Sequence, residues 1–522
     1  MTKYLLRRIL HGLISVIIVV AIVMVMIYGL LDRTLVFAAD PVYTKQLANQ
    51  KTAYMNRKWK EYGYQDYVTY SDYLQALYKA GDIDEETRSK AVSFGRTPEA
   101  DSDIVAEYVQ KFTDYYESQG YTVTRLNAKM QGRKVVNGGQ QQLFATKDIP
   151  LVTRLLKYFT SIINVDNIHD VQEDIGERKL TFTLYDPVYG GDKFSPAIIG
   201  NGTTHKYLLY FDNKFPFLHQ NLVTIQLGKS YTVTQGVDVF DTMTRAQGSY
   251  VKTLMTFPTG LEEESADDLH TATYVAGSRE TNVVLADRFV DDYTNVMTVN
   301  ANHSKMGFSF VIGIISVIIA YCLGIPLGIL MARKKEKLVD KIGTIYIVFI
   351  LAVPSLAYIF LFKAIGGKIG LPTTFDMEST SKLMYFLPII SLALPSIANL
   401  MKWIRRYMID QMNSDYVKFA RSGGLSEGEI FSKHILKNAI IPIVHGIPAS
   451  VASSLVGAII TERVYVVPGA GNLLTKAINM YDNGVIVGVT LFYAILSITS
   501  VILGDVLMSM VDPRISFSSK AR

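Results

Sequence analysis

Three charged side chains stand inside or beside long apolar runs, where an unpaired charge is expensive. Asp505 lies within the apolar run Val485–Met510, and Glu462 and Arg463 follow another such run. At membrane depth, a charged side chain is by default a candidate for the path of a transported solute. The alternatives are a packing or helix-end role for Asp505, and solvation at a helix end for Glu462 and Arg463.

The sequence lacks the spacings of common catalytic sites. It holds no HExxH and no cysteine–histidine ligand spacing. Its single cysteine, Cys322, excludes an internal disulfide and a cysteine metal site. Gly228-Lys229-Ser230 has the end of a phosphate loop, but Val223 replaces the preceding glycine, so no anion nest is expected. We therefore expect no enzymatic activity and no bound cofactor or metal, and any energy for uphill transport must come from another chain.

Six apolar runs are expected to position these charges. The 522-residue chain is 49% hydrophobic with a net charge of +5, which does not suggest a nucleic-acid partner. Arg7 and Arg8 precede the first run, and Arg405 and Arg406 follow the fourth, at ends that six spans place in the cytoplasm. A cleaved signal peptide is the alternative for the first run, but its apolar core is too long for one. The sequence predicts a polytopic α-helical membrane protein with six transmembrane helices and both termini in the cytoplasm. The predicted spans are Ile9–Leu31, Phe308–Met331, Ile342–Ile365, Leu383–Leu400, Ala439–Ile460 and Val485–Met510.

Prolines lie inside the second, third and fourth predicted spans. Pro326 stands between Gly324 and Gly328, where a proline kinks a helix and glycines permit close helix packing. Pro354-Ser355 and Pro395-Ser396 lie within the next two spans. The residues predicted to line a translocation pathway are Pro326, Pro354, Ser355, Pro395, Glu462, Arg463 and Asp505.

A polar stretch, Trp403–Pro442, separates the fourth and fifth spans and carries strong helix signals. Either residue of Asn413-Ser414 can cap a helix whose first turn holds Asp415, where an acid suits the helix dipole. Gly423-Gly424 should end that helix, because glycine takes the left-handed conformation cheaply. Ser426-Glu427-Gly428-Glu429 is a capping-box pattern for a second helix. The stretch predicts a helix, a glycine turn and a helix at a membrane surface.

The pattern YVxxARxxGLS followed by HxLxNAxxP resembles the cytoplasmic loop of ABC-importer permeases of the oligopeptide/dipeptide branch. In that family the loop forms coupling helices that dock into a groove on the ATPase subunits. The first glutamate of the generic motif is absent, with Tyr416 or Lys418 in its neighbourhood, and the spacing from Gly424 to Pro442 is longer, as in the peptide branch. The alternative is an amphipathic interfacial helix with no partner. The resemblance implies an ATPase-coupling role for Asp415, Tyr416, Ala420, Arg421, Gly424, Leu425, Ser426 and Glu427.

Residues 32–305 form a polar insertion between the first and second spans, after residues 1–31 and before the permease core 306–522 with its coupling loop 402–438. Helical spacing in Tyr70–Gly95 and strand-like runs from Tyr121 onward predict an extracellular α+β domain. Phe211–Met243 resembles the link between the first two spans of ordinary peptide permeases. It makes Asp40–Lys206 an extra block, as in Gram-positive oligopeptide permeases. The insertion is either a docking platform for partners or a second surface for substrate.

The resemblance implies a transmembrane subunit of an ATP-driven oligopeptide importer in the plasma membrane. The implied partners are a second homologous permease, two ATP-binding subunits that carry ATP and Mg, a lipid-anchored peptide-binding protein, the peptide and membrane lipid. The terminal Asp512-Pro513-Arg514 also matches that family. The alternatives are a peptide-sensing signalling subunit, and an exporter or pore component. Within importers, nickel or another small solute is an alternative substrate.

Overall fold

The computed structural model describes residues 2–213, 217–379 and 381–511, so the Asp512-Pro513-Arg514 signature lies outside the described residues. The chain begins with helix α1, Thr2–Leu30. Its portion Leu5–Leu30 is long and apolar enough to cross a membrane. No proline interrupts it, so its backbone hydrogen bonds stay within the helix, as lipid requires. The first predicted span is confirmed as an apolar helix of membrane length.

Residues 33–148 form the first lobe of the insertion. Three antiparallel strands, in the order β1-β5-β2, pack against helices, as the predicted helical and strand-like runs required. The core of the lobe contains Tyr70, Leu74, Phe112 and Leu143. The elements are α2 Pro41–Lys45, α3 Ala48–Glu61, β1 Gln65–Thr69, α4 Tyr70–Ala80, α5 Glu85–Ala91, α6 Asp103–Ser118, β2 Thr122–Leu126, β3 Met130–Gln131, β4 Lys134–Val135 and β5 Gln142–Asp148.

Residues 163–300 form the second lobe, which α7 (Leu151–Ser161) joins to the first. Its main sheet is antiparallel, in the order β10-β9-β8-β7. Two of the strand-like runs that follow Tyr121, Leu180–Leu184 and Tyr207–Phe211, are present as β7 and β9. The elements are β6 Ile163–Val165, β7 Lys179–Tyr185, β8 Phe194–Asn201, β9 Tyr207–Phe211, β10 Leu218–Gln220, β11 Val223–Ile225, α8 Val239–Thr244, β12 Thr253–Thr256, β13 Glu262–Ser265, β14 Asp267–Tyr274, α9 Ser278–Thr281, α10 Val283–Arg288 and β15 Tyr293–Thr298.

The boundary placed at Lys206 from the sequence does not separate two structural units. Strands β8 and β9 lie on either side of it and pair with each other, with Ala197 opposite Tyr210 and Ile198 opposite Leu209. The block Asp40–Lys206 therefore ends inside one sheet. Residues on both sides of Lys206 are needed to complete the second lobe.

His270 is buried in the second lobe beside two carboxylates. Its Nε2 lies 2.8 Å from the carboxylate of Asp186, and its Nδ1 lies 3.6 Å from that of Asp268. The imidazole stacks on Tyr210 with the ring centroids 4.1 Å apart. Burial lowers the pKa of His270, but the hydrogen bonds and charges of the two carboxylates outweigh burial and raise the pKa to about 9. His270 is therefore charged at neutral pH and holds β14 against the turn at Asp186.

We expect the second lobe to lose stability as the pH rises from 6.5, the ordinary pKa of histidine, to about 9. A group whose pKa is raised in the folded protein contributes its full stabilisation below the pKa that it has in the unfolded chain. That stabilisation is lost as the pH rises through the pKa that it has in the folded protein. The loss should not exceed about 3 kcal/mol. The rate of limited proteolysis in this lobe, followed across that pH range, measures it. His270→Gln should flatten the dependence, and equal pH profiles for both proteins would contradict the assignment.

After the insertion, the chain forms a bundle of long helices. In the described residues, five helices are long and apolar enough to cross a membrane, and a bent pair makes up to six. The membrane-length helices are α1, α11, α14, α18 and α20, and the bent pair is α12 with α13. The elements are α11 Lys305–Arg333, α12 Leu338–Ala352, α13 Ser355–Lys368, α14 Phe386–Met412, α15 Asp415–Ser422, α16 Glu427–Glu429, a π-helix Ile430–Leu436, α17 Lys437–His445, α18 Ile447–Tyr465, α19 Ala470–Asn479 and α20 Asn483–Val511.

The predicted third span, Ile342–Ile365, is not one straight helix. It breaks at Pro354, and α12 and α13 are bent by 108°. Val353 before the proline is extended, with φ −79° and ψ 131°. A residue before proline is disfavoured in the helical region, because the proline ring clashes with its backbone. The single continuous span is therefore corrected to a broken pair.

The bounds of the fourth and fifth spans also differ from the prediction. Helix α14 continues to Met412, so residues 402–412 of the predicted coupling loop belong to this long helix. The predicted fifth span, Ala439–Ile460, is divided at Gly446 between α17 and α18. Because α18 continues to Tyr465, Glu462 lies within a membrane-length helix instead of following one.

Helices α11 and α14 pack closely through two glycines. A Cβ on Gly324 would lie 2.8 Å from the Cβ of Leu400, and one on Gly328 would lie 2.9 Å from the Cβ of Ile404. A side chain at either glycine would push the helices apart, since such distances are too short for carbon atoms. The prediction that these glycines permit close packing is confirmed.

Candidate functional site

The coupling loop (residues 402–438) contains the predicted helix, glycine turn and helix. Helix α15 ends at Gly423, and Gly424 follows with φ +80°. The backbone N–H of Leu425 then donates to the carbonyl of Ala420 at 3.3 Å. Glycine reaches this left-handed conformation without a steric penalty. The predicted glycine stop is confirmed.

The two helix starts behave differently. Ser414 is the N-cap residue of α15, but its hydroxyl donates to the carbonyl of Gln411 at 2.6 Å, so the predicted side-chain cap is not formed. At the second helix, Ser426 and Glu429 form the predicted capping box. The N–H of Glu429 donates to the Ser426 hydroxyl, and the N–H of Ser426 donates to the Glu429 carboxylate, both at 3.3 Å. The capping box is confirmed.

One face of the loop is buried and the other presents apolar side chains. Val417 and Ile430 are fully buried in a cluster with Ile404 and Met408 of α14. Phe419, between the buried positions of α15, is 80% exposed. Tyr416 and Leu425 of the same loop are also exposed, at 38% each. Sequence reasoning did not single out the exposure of Phe419.

Polar contacts tie the two halves of the loop together. Arg421 Nε and one Nη donate to both carboxylate oxygens of Glu427, at 2.6 and 3.1 Å. The hydrogen bond from Arg421 holds the pKa of Glu427 below its ordinary value. Tyr416 donates to the carbonyl of His434 at 3.3 Å and accepts from Asn438 at 3.0 Å. These contacts hold α15 and the helical segment after Gly424 together as one jointed unit, which follows directly after the end of α14.

The four prolyl and seryl pathway candidates lie on different helices. Pro326 lies exposed in the middle of α11, and Pro395 is half-buried within α14. Pro354 and Ser355 lie at the break between α12 and α13. Among them, only this pair stands where the helix direction changes sharply.

Asp505 on α20 forms an ion pair with Arg8 on α1. One guanidinium nitrogen lies 2.8 Å from the carboxylate, whose side chain is 15% exposed. A partly desolvated pair of this kind attaches two helices at one end of the bundle. This contact is the packing role that stood as the alternative for Asp505.

Glu462 is fully buried between α11, α18 and α19. The Ser309 hydroxyl donates to one carboxylate oxygen, and the N–H of Asn472 donates to the other at 3.0 Å. A Cβ on Gly469 would lie 2.3 Å from the carboxylate carbon, so this turn leaves room for the acid. Solvation at a helix end is therefore wrong for Glu462, whereas its neighbour Arg463 is exposed. The pattern T-E-R gave no signal that one charge points inward and the next outward.

A second buried carboxylate, Asp482 at the start of α20, lies in a nest of donors. The backbone N–H groups of Tyr231, Thr232 and Val233 each donate to it at 2.9 Å, and the Ser230 hydroxyl donates at 2.7 Å. Hydrogen bonds to an ionised acceptor are about twice as strong as neutral ones. Asp482 therefore fixes the base of the insertion to the last helix.

A backbone nest forms just after Gly228-Lys229-Ser230, outside the phosphate-loop positions considered from the sequence. In a phosphate loop the nest would span Val223–Gly228, but here Val223–Ile225 is strand β11. The nest forms further along, over residues 231–233, and a carboxylate of the same chain occupies it. Sequence reasoning missed Asp482, because its partners lie about 250 positions away.

Aromatic side chains surround this nest and complete what we call the seam (Tyr28, Tyr62, Tyr64, Tyr231, Asp482 and Asn483). Tyr231 stacks on Tyr62 with ring centroids 3.9 Å apart, and its hydroxyl lies 3.1 Å from that of Tyr28. Asn483 donates to the hydroxyl of Tyr64 at 3.0 Å. The seam joins α1, the first lobe, the base of the insertion and α20. The insertion is thus anchored to both the first and the last helix.

The described residues contain no group of three or more histidine, cysteine, aspartate or glutamate side chains that could hold a metal ion. The coupling loop offers backbone turns, two exposed aromatic rings (Tyr416 and Phe419) and paired charges. Such a surface can bind another protein and transmit movement to α14.

A bundle of membrane-length apolar helices with such a loop defines a helical membrane permease. A sequence model described as "Binding-protein-dependent transport system inner membrane component" matches residues 324–517. The oligopeptide transport system permease protein AmiC of Streptococcus pneumoniae serotype 4 is 34% identical over 527 residues, covering 100% of this chain and 99% of that protein. The chain belongs to this family of transport permeases.

A second relative matches a smaller part of the chain. The dipeptide transport system permease protein DppB of Bacillus subtilis is 30% identical over 215 residues, covering 41% of this chain and 68% of that protein. The match to AmiC includes the insertion, because it extends over the whole chain.

Proposed function

We propose that this chain is a transmembrane permease subunit of an ATP-driven oligopeptide importer and forms half of its translocation pathway. The observation that carries the proposal is the full-length similarity to a protein named as an oligopeptide transport permease. The jointed coupling loop supports it independently, because a passive pore would not need that device.

In this proposal the coupling loop docks onto two ATP-binding subunits, which bind the ATP and Mg. Phe419 is the main apolar contact, since at 80% it is more exposed than Tyr416 and Leu425, which are each 38% exposed. The Arg421–Glu427 pair and Gly424 keep α15 and the second helix at a fixed angle. Closure of the ATPase subunits then pushes α14, which holds α11 through the close glycine contacts. The subunit itself performs no bond-breaking chemistry.

The proposed orientation places both termini and the coupling loop in the cytoplasm and the insertion outside. The basic residues Arg7, Arg8, Lys402, Arg405 and Arg406 support it, because positive charge is retained on the cytoplasmic side. A second homologous permease would complete the pathway, and the broken pair α12–α13 supplies a place where helices can rock. A lipid-anchored peptide-binding protein would deliver peptide to the outer face.

The test is uptake of a labelled oligopeptide by proteoliposomes that hold the complete complex. We expect accumulation that requires ATP and is absent when this chain is omitted. Peptide binding without accumulation would favour the signalling alternative, and flux without ATP would favour a pore. Accumulation of nickel ions in place of peptide would favour the alternative in which the importer carries nickel.

A further inference from the structure

Only part of the apolar face of helix α7 packs against α1, near the C-terminal end of that membrane-length helix. Val152 and Leu156 extend the same face sideways, and they are 67% and 63% exposed. When the apolar face of a helix is wider than the surface it packs against, the remaining apolar residues need a second apolar environment. The four residues that do make the contact with the cluster of Val20 and Met24 are Leu155, Tyr158, Phe159 and Ile162.

The ribbon of β6 and β11 continues this exposed surface. Ile163 pairs with Ile225, and Val165 pairs with Val223, so all four side chains lie on one face. Their exposed fractions are 63%, 43%, 55% and 39% in that order. The ribbon starts beside Leu227, which is buried against α1 and α20. The exposed face therefore begins where the contact with the spans ends.

An arginine and two tyrosines mark the level of α7 along α1. The guanidinium of Arg154 lies 3.9 Å from the ring centroid of Tyr28 and 4.0 Å from that of Tyr64. Tyr28 lies two residues before the end of α1. Tyrosines concentrate where a membrane helix leaves the hydrocarbon region, and arginine reaches the same level with its head group. Helix α7 thus lies at the height of the membrane interface.

We propose that α7 and the β6–β11 ribbon insert into the lipid leaflet nearest the insertion. The contact surface, called the interfacial patch, consists of Val152, Leu156, Ile163, Val165, Val223 and Ile225. The occupant is the acyl and glycerol region of the bilayer that the chain's own spans cross. The patch continues the lipid-accessible side of α1, where Ile22 and Met26 are 54% and 55% exposed.

The opposite side of α7 has the chemistry of a membrane–water boundary. Lys157 and Ser161 are exposed there, about 100° or more around the helix from Leu156. An apolar flank beside a basic polar flank is typical of helices that lie in the interface plane. The insertion would therefore be supported by lipid as well as by the seam.

A single-cysteine fluorescence experiment tests the proposal. Cys322 is this chain's only cysteine, so Cys322→Ser removes competing labelling from this chain, and the same complex with Cys322→Ser alone measures labelling of the partner chains. Leu156→Cys is labelled with bimane in the complete complex, held in nanodiscs of phosphatidylcholine with or without brominated acyl chains. We expect severalfold stronger quenching by brominated lipid than by aqueous iodide. Ser161→Cys, one turn along the same helix and exposed on its polar flank, is the matched control and should show the reverse preference.

Two results would overturn the proposal. Quenching of the Leu156→Cys label by iodide would place the patch in water. Quenching by neither agent would place it under protein, and a partner permease would then be the occupant. Ile163→Cys on the ribbon repeats the measurement at an independent site, so a local disturbance of α7 cannot decide the outcome. Peptide uptake, measured separately, distinguishes failure of this proposal from failure of the transport function.

Discussion

Replacing Gly424 with proline is expected to abolish ATP-driven uptake while leaving the membrane spans in place. Gly424 has φ +80°, whereas proline is fixed near about −65°. The replacement also removes the N–H that donates to the Arg421 carbonyl at 3.2 Å. A proline in an incompatible backbone conformation costs about 3 kcal/mol or more. A change of about 1.4 kcal/mol already corresponds to a tenfold change in an equilibrium constant. Uptake by reconstituted vesicles should therefore fall by more than about tenfold.

A second glycine in the same loop provides the matched control. Gly428 lies in α16, and a Cβ there would meet no atom within 4 Å. Gly428→Ala should retain uptake, because alanine favours the helix that glycine weakens. Copurification of the ATP-binding subunits with both variants separates loss of coupling from loss of assembly. Normal uptake by an assembled Gly424→Pro complex would remove the loop as the energy joint and favour the signalling alternative.

Replacing Asp482 with alanine is expected to loosen the whole insertion from the helix bundle. The change leaves three backbone N–H groups and the Ser230 hydroxyl without their acceptor at a fully buried site. Each unsatisfied buried donor costs roughly 1–3 kcal/mol, so a total destabilisation on the order of 4 kcal/mol is expected. The midpoint of thermal unfolding and the rate of proteolysis near residues 226–238 measure the effect.

Asp174→Ala is the control for the Asp482 variant. Asp174 is exposed in the second lobe and bonds only the nearby N–H of Gly176, at 3.3 Å, among the contacts described. Its loss should leave the unfolding midpoint and the cleavage pattern unchanged. If Asp482→Ala behaves like this control, the nest is not what holds the base of the insertion, and the aromatic stacking of Tyr62 and Tyr231 must suffice.

The parts of the coupling loop that could be predicted depend on local signals. The stop at Gly424 and the capping box of Ser426 each involve residues within a few positions of one another. Helix ends of this kind are specified by the backbone requirements of the residues themselves. Ser414 departs from the prediction because its hydroxyl found a nearer acceptor in the preceding turn. The family resemblance covered the same stretch, so both arguments agreed where the sequence is most informative.

The parts that could not be predicted depend on partners distant in sequence. Apolar length located α12 and α13, and Pro354 marked the break between them, but neither signal gave the 108° size of the bend. The burial of Glu462 depends on Ser309, 153 positions earlier, and that of Asp482 on a turn 250 positions earlier. His270 likewise gains its charge from Asp186, on a separate turn of the second lobe. Sequence patterns identify the element that carries such a residue but not the surface it meets.

The seam has a consequence for how the protein is made. Ser230 and Asp482 are 252 positions apart, and the Arg8–Asp505 pair links the beginning of the chain to its last helix. During synthesis the N-terminal part emerges first, so α1 and the insertion wait for α20 through most of translation. A chain whose synthesis stops before residue 482 therefore lacks the carboxylate that occupies the nest. It also lacks Asn483, which donates to the hydroxyl of Tyr64. Arrival of α20 completes the seam, so we expect proteases to cut a chain that lacks α20 more readily than one that contains it.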